Sequence, residues 1–223
     1  MARVIAIDGP SGAGKSSVSR IVGKKLGFLH VDSGALYRIM TWQALVRKVD
    51  TDNPEAVAAF APTVEIECRP ENGAIAYYVG GEQPGERIRT PEINAHASQV
   101  ATVKQVRDKI TSLLRDMTRF GDLVVEGRDI TTAVFPDSPA RFYLTASAEA
   151  RAMRRQKEEV EKGIANQSAA AVKASLLARD AIDSTRKYAP LRKADGAIEI
   201  DSSDLTLEQV VDIVLEKIHE TFD

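Results

Sequence analysis

The chain contains 223 residues, 43% hydrophobic and 28% charged, so it can bury a core without a metal or disulfide staple. A net charge of −2 argues against a nucleic-acid-binding protein, because such proteins usually carry more basic than acidic residues. The single cysteine, Cys68, excludes an internal disulfide, and the lack of a secretory signal pattern or an apolar run of about 20 residues predicts a cytoplasmic protein that binds no membrane.

Short apolar runs and helical periodicity alternate along the chain. Val18, Ile21, Val22 and Leu26 share one face of a helix that should stop at Gly27, and Thr206 with Gln209 forms a capping box before the last helix. Continuous apolar runs are typical of strands buried on both faces. They cover residues 3–8, 28–32, 122–127, 141–145 and 197–201. This alternation predicts an α/β fold with a parallel sheet flanked by helices.

Two segments interrupt this alternation. Residues 63–89 contain two stretches of alternating polarity around Asn72-Gly73, a hairpin signal, which predicts a small antiparallel sheet in an insert. Residues 148–188 are rich in Arg, Lys, Glu and Ala, with Gly163 between two helical stretches. We expect this second segment to form an exposed helical lid.

The stretch GPSGAGKSS, residues 9–17, matches the phosphate-binding pattern G-x-x-x-x-G-K-[ST]. An apolar strand precedes it and an amphipathic helix follows it, which is the context that the pattern requires. Backbone N–H groups and the helix N-terminus would hold the phosphates of a nucleoside triphosphate, Lys15 would reach the β- and γ-oxygens, and Ser16 would ligate Mg²⁺. The candidate ATP-binding residues are Gly9, Pro10, Ser11, Gly12, Ala13, Gly14, Lys15, Ser16 and Ser17.

The acceptor of the phosphate is indicated by arginines at the carboxyl ends of predicted strands, where ligands of open α/β sheets bind. Arg38 follows the second strand and Arg128 the third. An acceptor that is itself a phosphate is ionised at neutral pH and needs no general base, unlike a sugar or alcohol. The sequence lacks the Asn-Lys-x-Asp element by which GTPases recognise the base, which argues against a GTPase.

Five stretches together resemble bacterial-type cytidylate kinases, P-loop kinases that phosphorylate CMP and dCMP. They are IDGPSGAGKSS, DSGALYR, ASQVA, EGRDITTAVFPD and RDAIDSTRKYAPL, in that order along nearly the whole chain. The resemblance implies the nucleoside-monophosphate-kinase fold, with a five-stranded parallel sheet. It further implies one domain with a core at 1–32, 108–147 and 189–223, a CMP-binding insert at 33–107 and a lid at 148–188, and we expect a monomer.

The resemblance also implies residue roles. Arg38 and Arg128 would hold the CMP phosphate, beside Ser33 and Tyr37. Ser98, Arg107 and Asp129 would contact the base, and Asp183 and Arg186 the ribose. Arg179 would reach the transferring phosphate from the lid, with Arg151, Arg154 and Arg155 as further lid candidates; Lys15, Arg128 and Arg179 are the catalytic candidates.

Base recognition also follows from chemistry. The carboxylate of Asp129 can accept a hydrogen bond from the cytosine amino group, and Arg107 can donate to its ring acceptors. Uracil would set an oxygen against Asp129, which disfavours UMP. Asp129 could instead cap the following helix, and Glu126 could orient waters on Mg²⁺. The alternatives are a small P-loop kinase acting on AMP, UMP or a metabolite, a non-catalytic nucleotide-binding module and a nucleic-acid-dependent ATPase.

Overall fold

The structure, a computed structural model, describes residues 2–161 and 168–222. Within these residues seven strands form one sheet in the spatial order β3-β4-β2-β5-β1-β6-β7. The strands are β1 Val4–Asp8, β2 Leu29–Asp32, β3 Glu67–Glu71, β4 Ala74–Tyr78, β5 Leu123–Gly127, β6 Ala140–Thr145 and β7 Ile198–Asp201. The five strands β2-β5-β1-β6-β7 are all parallel, which confirms the predicted parallel sheet.

Eight α-helices of the described chain pack around this sheet. They are α1 Lys15–Leu26, α2 Ser33–Val46, α3 Pro54–Phe60, α4 Pro91–Val100, α5 Lys104–Asp116, α6 Ala148–Glu161, α7 Ala169–Thr185 and α8 Leu207–Phe222. Gly27 ends α1 in a left-handed conformation with φ of 70°, and the Thr206–Gln209 capping box forms at the start of α8. None of the helices in the described ranges combines the length and apolarity needed to cross a bilayer.

Alternation along β1 builds a core on each side of the sheet. Val4 and Ala6 pack into one cluster together with residues of α2 and α5. Ile5 and Ile7 pack into the other with residues of α1 and α8. Because the sheet is covered on both faces, the free polar groups that could bind a ligand gather at the ends of the strands.

The hairpin β3–β4 forms as predicted, with Asn72 and Gly73 both at positive φ. It is not a separate small sheet, because β4 pairs with β2 through His30 and Ala74 and so extends the main sheet. Residues 148–188 contain α6 and α7; the predicted break at Gly163 lies outside the described residues. Helix α4 ends at Val100, and α5 begins directly after its N-cap, Val103.

Candidate active site

A cleft of about 540 Å³ opens at the carboxyl ends of β1, β2 and β5. Most of the predicted site residues line it. They are Ser11, Gly12, Gly14, Lys15, Ser16, Ser17, Ser33, Tyr37, Arg38, Ser98, Arg128, Asp129, Arg179, Asp183 and Arg186. Gly9, Pro10, Ala13 and Arg107 are buried outside its lining. Residues from distant parts of the sequence therefore meet in one polar cleft.

The phosphate-binding loop curls tightly between β1 and α1. Gly9 has φ of 150°, and a side chain there would put its Cβ 1.9 Å from the carbonyl oxygen of Leu144 on β6. Gly12 and Gly14 also have positive φ, at 77° and 88°. These glycines bring the N-terminus of α1 to the cleft, where its free N–H groups and dipole favour an anion.

Lys15, the first residue of α1, is 5% exposed, and its Nζ donates to the carbonyl oxygen of Pro10 at 2.8 Å. Burial, with a further contribution from the positive charge of Arg128, lowers the pKa of Lys15 to about 7. A bound anion would restore the charged form. The environment of Lys15 thus favours a negatively charged ligand such as a phosphate.

Ser16, Glu126 and Asp32 form an oxygen-rich corner beside the loop. The Ser16 hydroxyl donates to Oε1 of Glu126. Burial, followed by the negative charge of Asp32, raises the pKa of Glu126. A hydroxyl and carboxylates are the hard ligands that Mg²⁺ prefers, and a cation would relieve the repulsion between the acids. No cluster of three or more His, Cys, Asp or Glu side chains in the described ranges could hold a metal alone, so phosphate or water oxygens would complete the shell.

Arg38, Arg128 and Arg179 gather opposite the phosphate loop. Arg128 donates from Nε to Oδ2 of Asp183 at 3.1 Å, and Arg38 hydrogen-bonds the side-chain oxygen of Asn94. Burial, followed by the charge of Arg179, lowers the pKa of Arg38 to about 10.

Arg179 itself has a lowered pKa, first because of burial and then because of Arg128. Its Nε is buried and, among the described residues, has no hydrogen-bond partner. Buried donors are nearly always paired. The cluster therefore offers a buried, unpaired hydrogen-bond donor, Nε of Arg179, to an anionic ligand.

Asp129 and Arg107 form a buried pair at the far end of the cleft, exposed by only 3% and 4%. Arg107 donates to Oδ2 of Asp129 and, at 3.1 Å, to the carbonyl oxygen of Ala101. Its guanidinium also lies 5.3 Å from the ring centre of Tyr37. Arg186 approaches the second oxygen of Asp129 at 3.5 Å. Asp129 thus presents a fixed carboxylate to the cleft, with Arg107 behind it.

The alternative role of Asp129 as a helix cap is wrong. Its side chain caps nothing in the described part of the chain, and the turn after it, Ile130–Val134, is π-helical. Instead, Asp8 at the end of β1 accepts hydrogen bonds from the backbone of Ile130 and Thr131 at 2.9 and 2.7 Å. The core strand therefore anchors the turn that follows Arg128 and Asp129.

Arg151, Arg154 and Arg155, the three arginines of α6 predicted to belong to a lid, differ in their surroundings. Arg151 is buried and donates to the carbonyl oxygen of Ser11 at 2.9 Å. Arg154 donates to the hydroxyl of Ser202 at 2.9 Å. Arg155 lines the cleft, with Nη1 at 3.4 Å from Oε2 of Glu158. Of the three, only Arg155 borders the cleft directly.

Sequence reasoning missed four acidic or basic residues that shape the site: Asp8, Asp32, Arg89 and Asp180. Asp8 and Asp32 each end an apolar strand, a position that could have identified them. Arg89 lies 3.5 Å from Asp32. Asp180 accepts a hydrogen bond from the phosphate loop. Neither has a local signal in the sequence, because both contacts join distant segments.

The sequence and the fold were compared with known proteins. A cytidylate kinase from Streptomyces griseus is 44% identical over 214 residues, covering 95% of this chain and 90% of the relative. One from Bacillus cereus is 38% identical and covers 98% and 96%. An uncharacterized protein from Eubacterium ventriosum has a similar fold, with a TM-score of 0.55 over 99% of both chains at 12% identity.

The sequence model of the cytidylate kinase family matches residues 5–220, almost the whole chain. The match spans the phosphate loop, the arginines opposite it and helices α6 and α7. The chain therefore belongs to the cytidylate kinase family.

Proposed function

We propose that this member of the cytidylate kinase family transfers the γ-phosphate of Mg·ATP to CMP or dCMP, giving CDP or dCDP. The observation that carries the proposal is the cation cluster. Lys15, Arg38, Arg128 and Arg179 meet in one cleft, and the buried Nε of Arg179 has no partner among the described residues. Burial, followed by the charge of a neighbouring arginine, lowers the pKa values of Lys15, Arg38 and Arg179, and such a cluster suits two phosphate groups brought close together.

On the donor side, the N–H groups of residues 9–17 and the N-terminus of α1 would hold ATP, and Lys15 would contact the β- and γ-phosphates. The Ser16 hydroxyl would turn from Glu126 to ligate Mg²⁺, and Glu126 and Asp32 would orient waters on the ion. When bound, Mg²⁺ neutralises charge that develops on the phosphate oxygens. This arrangement fits the oxygen ligands present at that corner.

On the acceptor side, Arg38 and Arg128 would align the CMP phosphate, with Ser33 and Tyr37 beside it. The phosphate oxygen is already ionised at neutral pH, so the transfer needs orientation and charge stabilisation and no general base. Arg179 would stabilise the equatorial oxygens of the transferring group. We propose that 33–107 binds the acceptor, that 148–188 acts as a lid, and that the remaining residues form the core.

Base recognition would rest on Asp129, held by Arg107 and Arg186, with Ser98 nearby. The carboxylate of Asp129 is held in one orientation by two guanidinium groups. It can therefore accept a hydrogen bond from the cytosine amino group with little loss of side-chain entropy. Uracil would meet the same carboxylate with an oxygen and be rejected. Asp183 and Arg186 would contact the ribose.

Coupled measurement of ADP release with CMP, dCMP, UMP and AMP tests the proposal, with an acceptor-free reaction as control. We expect the highest kcat/KM with CMP or dCMP. Faster turnover of AMP or UMP would overturn the choice of acceptor. If the protein binds ATP but releases no ADP with any of the four acceptors, it is a non-catalytic nucleotide-binding module.

We also propose that the protein acts in the cytoplasm as a monomer, with no nucleic acid or membrane as partner. The net charge of −2 supports the absence of a nucleic-acid partner, and the single free cysteine fits a reducing compartment such as the cytoplasm. Light scattering after gel filtration measures the mass, and a dimer would contradict the proposal. Stimulation of ATP hydrolysis by DNA or RNA would contradict the absence of a nucleic-acid partner.

A further inference from the structure

Two lid side chains hold both backbone polar groups of one residue in the phosphate loop. Arg151 of α6 donates from Nη1 to the carbonyl oxygen of Ser11 at 2.9 Å. Asp180 of α7 accepts from the N–H of Ser11 at 3.0 Å through Oδ1, and its Oδ2 accepts from Arg151. Arg151 donates from Nε to Ala146 as well, at 3.1 Å. The contact is therefore a closed network that joins two helices to one loop residue.

The backbones also approach closely at this point. A Cβ on Gly12 would lie 3.2 Å from both the Cβ and the carbonyl oxygen of Arg151, and Gly12 has φ of 77°. The loop can therefore pack on α6 because residue 12 has no side chain. Arg151 is 6% exposed, which separates it from the solvated arginines of a charged helix. The close backbone approach and the burial of Arg151 together indicate a tightly packed contact between lid and loop.

Helix α7 extends this contact to the acceptor side. Asp180, Asp183 and Arg186 follow one another at intervals of three residues and so share one side of the helix end. Asp183 accepts from Arg128 at 3.1 Å, and Arg186 lies 3.5 Å from Asp129. Arg179 directly precedes Asp180. Helix α7 and its C-cap, Arg186, thus contact the donor loop, the acceptor arginine and the buried carboxylate at the far end of the cleft.

We propose that Arg151 and Asp180 are positioning residues that lock the lid to the phosphate loop at Ser11. The lock fixes the distance between Arg179 and the γ-phosphate, because Arg179 and Asp180 are neighbours on α7 and Ser11 belongs to the loop that holds the phosphates. This inference rests on the proposed function. Loosening the lock would misalign the transferring group and admit water. Phosphoryl transfer would therefore slow, and the rate of ATP hydrolysis without acceptor would rise relative to the rate of transfer.

The kinetic test uses Asp180→Asn, which keeps an acceptor for Ser11 but loses the charge that holds Arg151, and Arg151→Lys as a second, milder variant. We expect kcat to fall roughly 10- to 100-fold with KM for CMP nearly unchanged, and the ratio of hydrolysis to transfer to rise roughly tenfold. The double variant should lose less than the product of the two single effects.

The matched control is Glu149→Gln, since Glu149 pairs with Lys173 and also joins α6 to α7, but at an exposed point away from the loop. It should leave the kinetics unchanged. Equal kinetic losses in Glu149→Gln and Asp180→Asn would overturn the proposal, as would variants of lower Tm whose kcat and hydrolysis ratio stay unchanged.

Hydrogen exchange of the ligand-free protein tests the lock apart from the reaction. We expect the Ser11 amide to exchange roughly tenfold or more faster in Asp180→Ala, which removes its hydrogen-bond acceptor, than in the wild type. Unchanged exchange would overturn the lock. A wild type that makes no CDP, with faster exchange in the variant, would instead overturn the proposed function and leave the lock in place.

Discussion

Asp8 is expected to stabilise the site at the cost of global stability, and Asp8→Asn tests this. The side chain is 0% exposed. It accepts hydrogen bonds from the Ile130 and Thr131 amides at 2.9 and 2.7 Å and from the Thr131 hydroxyl at 2.6 Å. These residues directly follow Arg128 and Asp129. An ionised Asp8 can accept all three bonds, so it should hold the turn more rigidly than asparagine, which has one oxygen acceptor.

The magnitude follows from the pKa. Burial raises the pKa of Asp8 from 3.8 to about 6, despite the opposing hydrogen bonds from Thr131. Each pKa unit corresponds to about 1.4 kcal/mol, so ionisation costs the folded protein about 3 kcal/mol relative to the unfolded chain. Between about pH 4 and pH 6, Asp8 keeps its proton in the folded protein but loses it in the unfolded chain. The contribution of Asp8 to stability is therefore fully present below about pH 4 and is lost as the pH rises through about 6.

Asparagine resembles the protonated acid in shape and does not titrate. We therefore expect the wild type and Asp8→Asn to have similar free energies of unfolding near about pH 4, and the variant to be up to about 3 kcal/mol more stable at about pH 7.5. Urea unfolding at both pH values measures the difference. At the higher pH the same variant should lose roughly tenfold in kcat/KM for CMP, because the turn after Arg128 loosens.

Thr131→Val provides the control, since it removes one donor and leaves the buried charge. It should destabilise the protein by about 1 to 3 kcal/mol at the higher pH, opposite in sign to Asp8→Asn. The reasoning would be refuted by an asparagine variant that is less stable than the wild type at about pH 7.5, since the hydrogen bonds would then outweigh burial.

Mg·ATP binding should take up a proton at about pH 8, because the bound phosphates would raise the pKa of Lys15 from about 7. Affinity should weaken as pH rises, and calorimetry in two buffers of different ionisation enthalpy should detect an uptake that Lys15→Arg abolishes. Arg128→Lys should lower kcat/KM on the order of 10³-fold in steady-state assays, and a nearly unchanged value would contradict its assigned role. Asp129→Asn should lower kcat/KM for CMP roughly 10- to 100-fold and raise the UMP-to-CMP ratio, measured side by side; an unchanged ratio would contradict base recognition.

Features with a local physical cause could be predicted from the sequence. Apolar runs identified the five parallel strands to within about a residue, because a strand covered on both faces requires apolar side chains throughout. The end of α1 followed from Gly27, and the start of α8 from the Thr206–Gln209 pair. The hairpin followed from Asn72-Gly73, although its junction with β2 did not, since a single pairing between distant residues has no signal in the chain.

The contacts that orient the site could not be predicted in this way. Asp8 anchors a turn more than a hundred residues away in the sequence, and Arg151 contacts a loop 140 residues before it. On a helix rich in Arg and Glu, the buried Arg151 and an exposed neighbour look alike, because burial depends on what packs against them. The sequence patterns thus indicated which residues meet at the cleft, whereas their mutual pairing required the fold.

Arg38 and Arg128 are expected to act on the same phosphate, yet their charges are balanced differently. Burial, with Arg179, lowers the pKa of Arg38, and its hydrogen-bond partner Asn94 is neutral. Burial alone would lower the pKa of Arg128 too, but the charges of Asp183 and Glu126 raise it overall. A phosphate dianion should therefore bind mainly through Arg38, whose charge it stabilises most. Arg128 must share or leave Asp183 to reach the phosphate, which makes its contribution depend on the position of α7. Ground-state binding of the acceptor should thus follow Arg38, and the alignment that sets kcat should follow Arg128 and the lid helix.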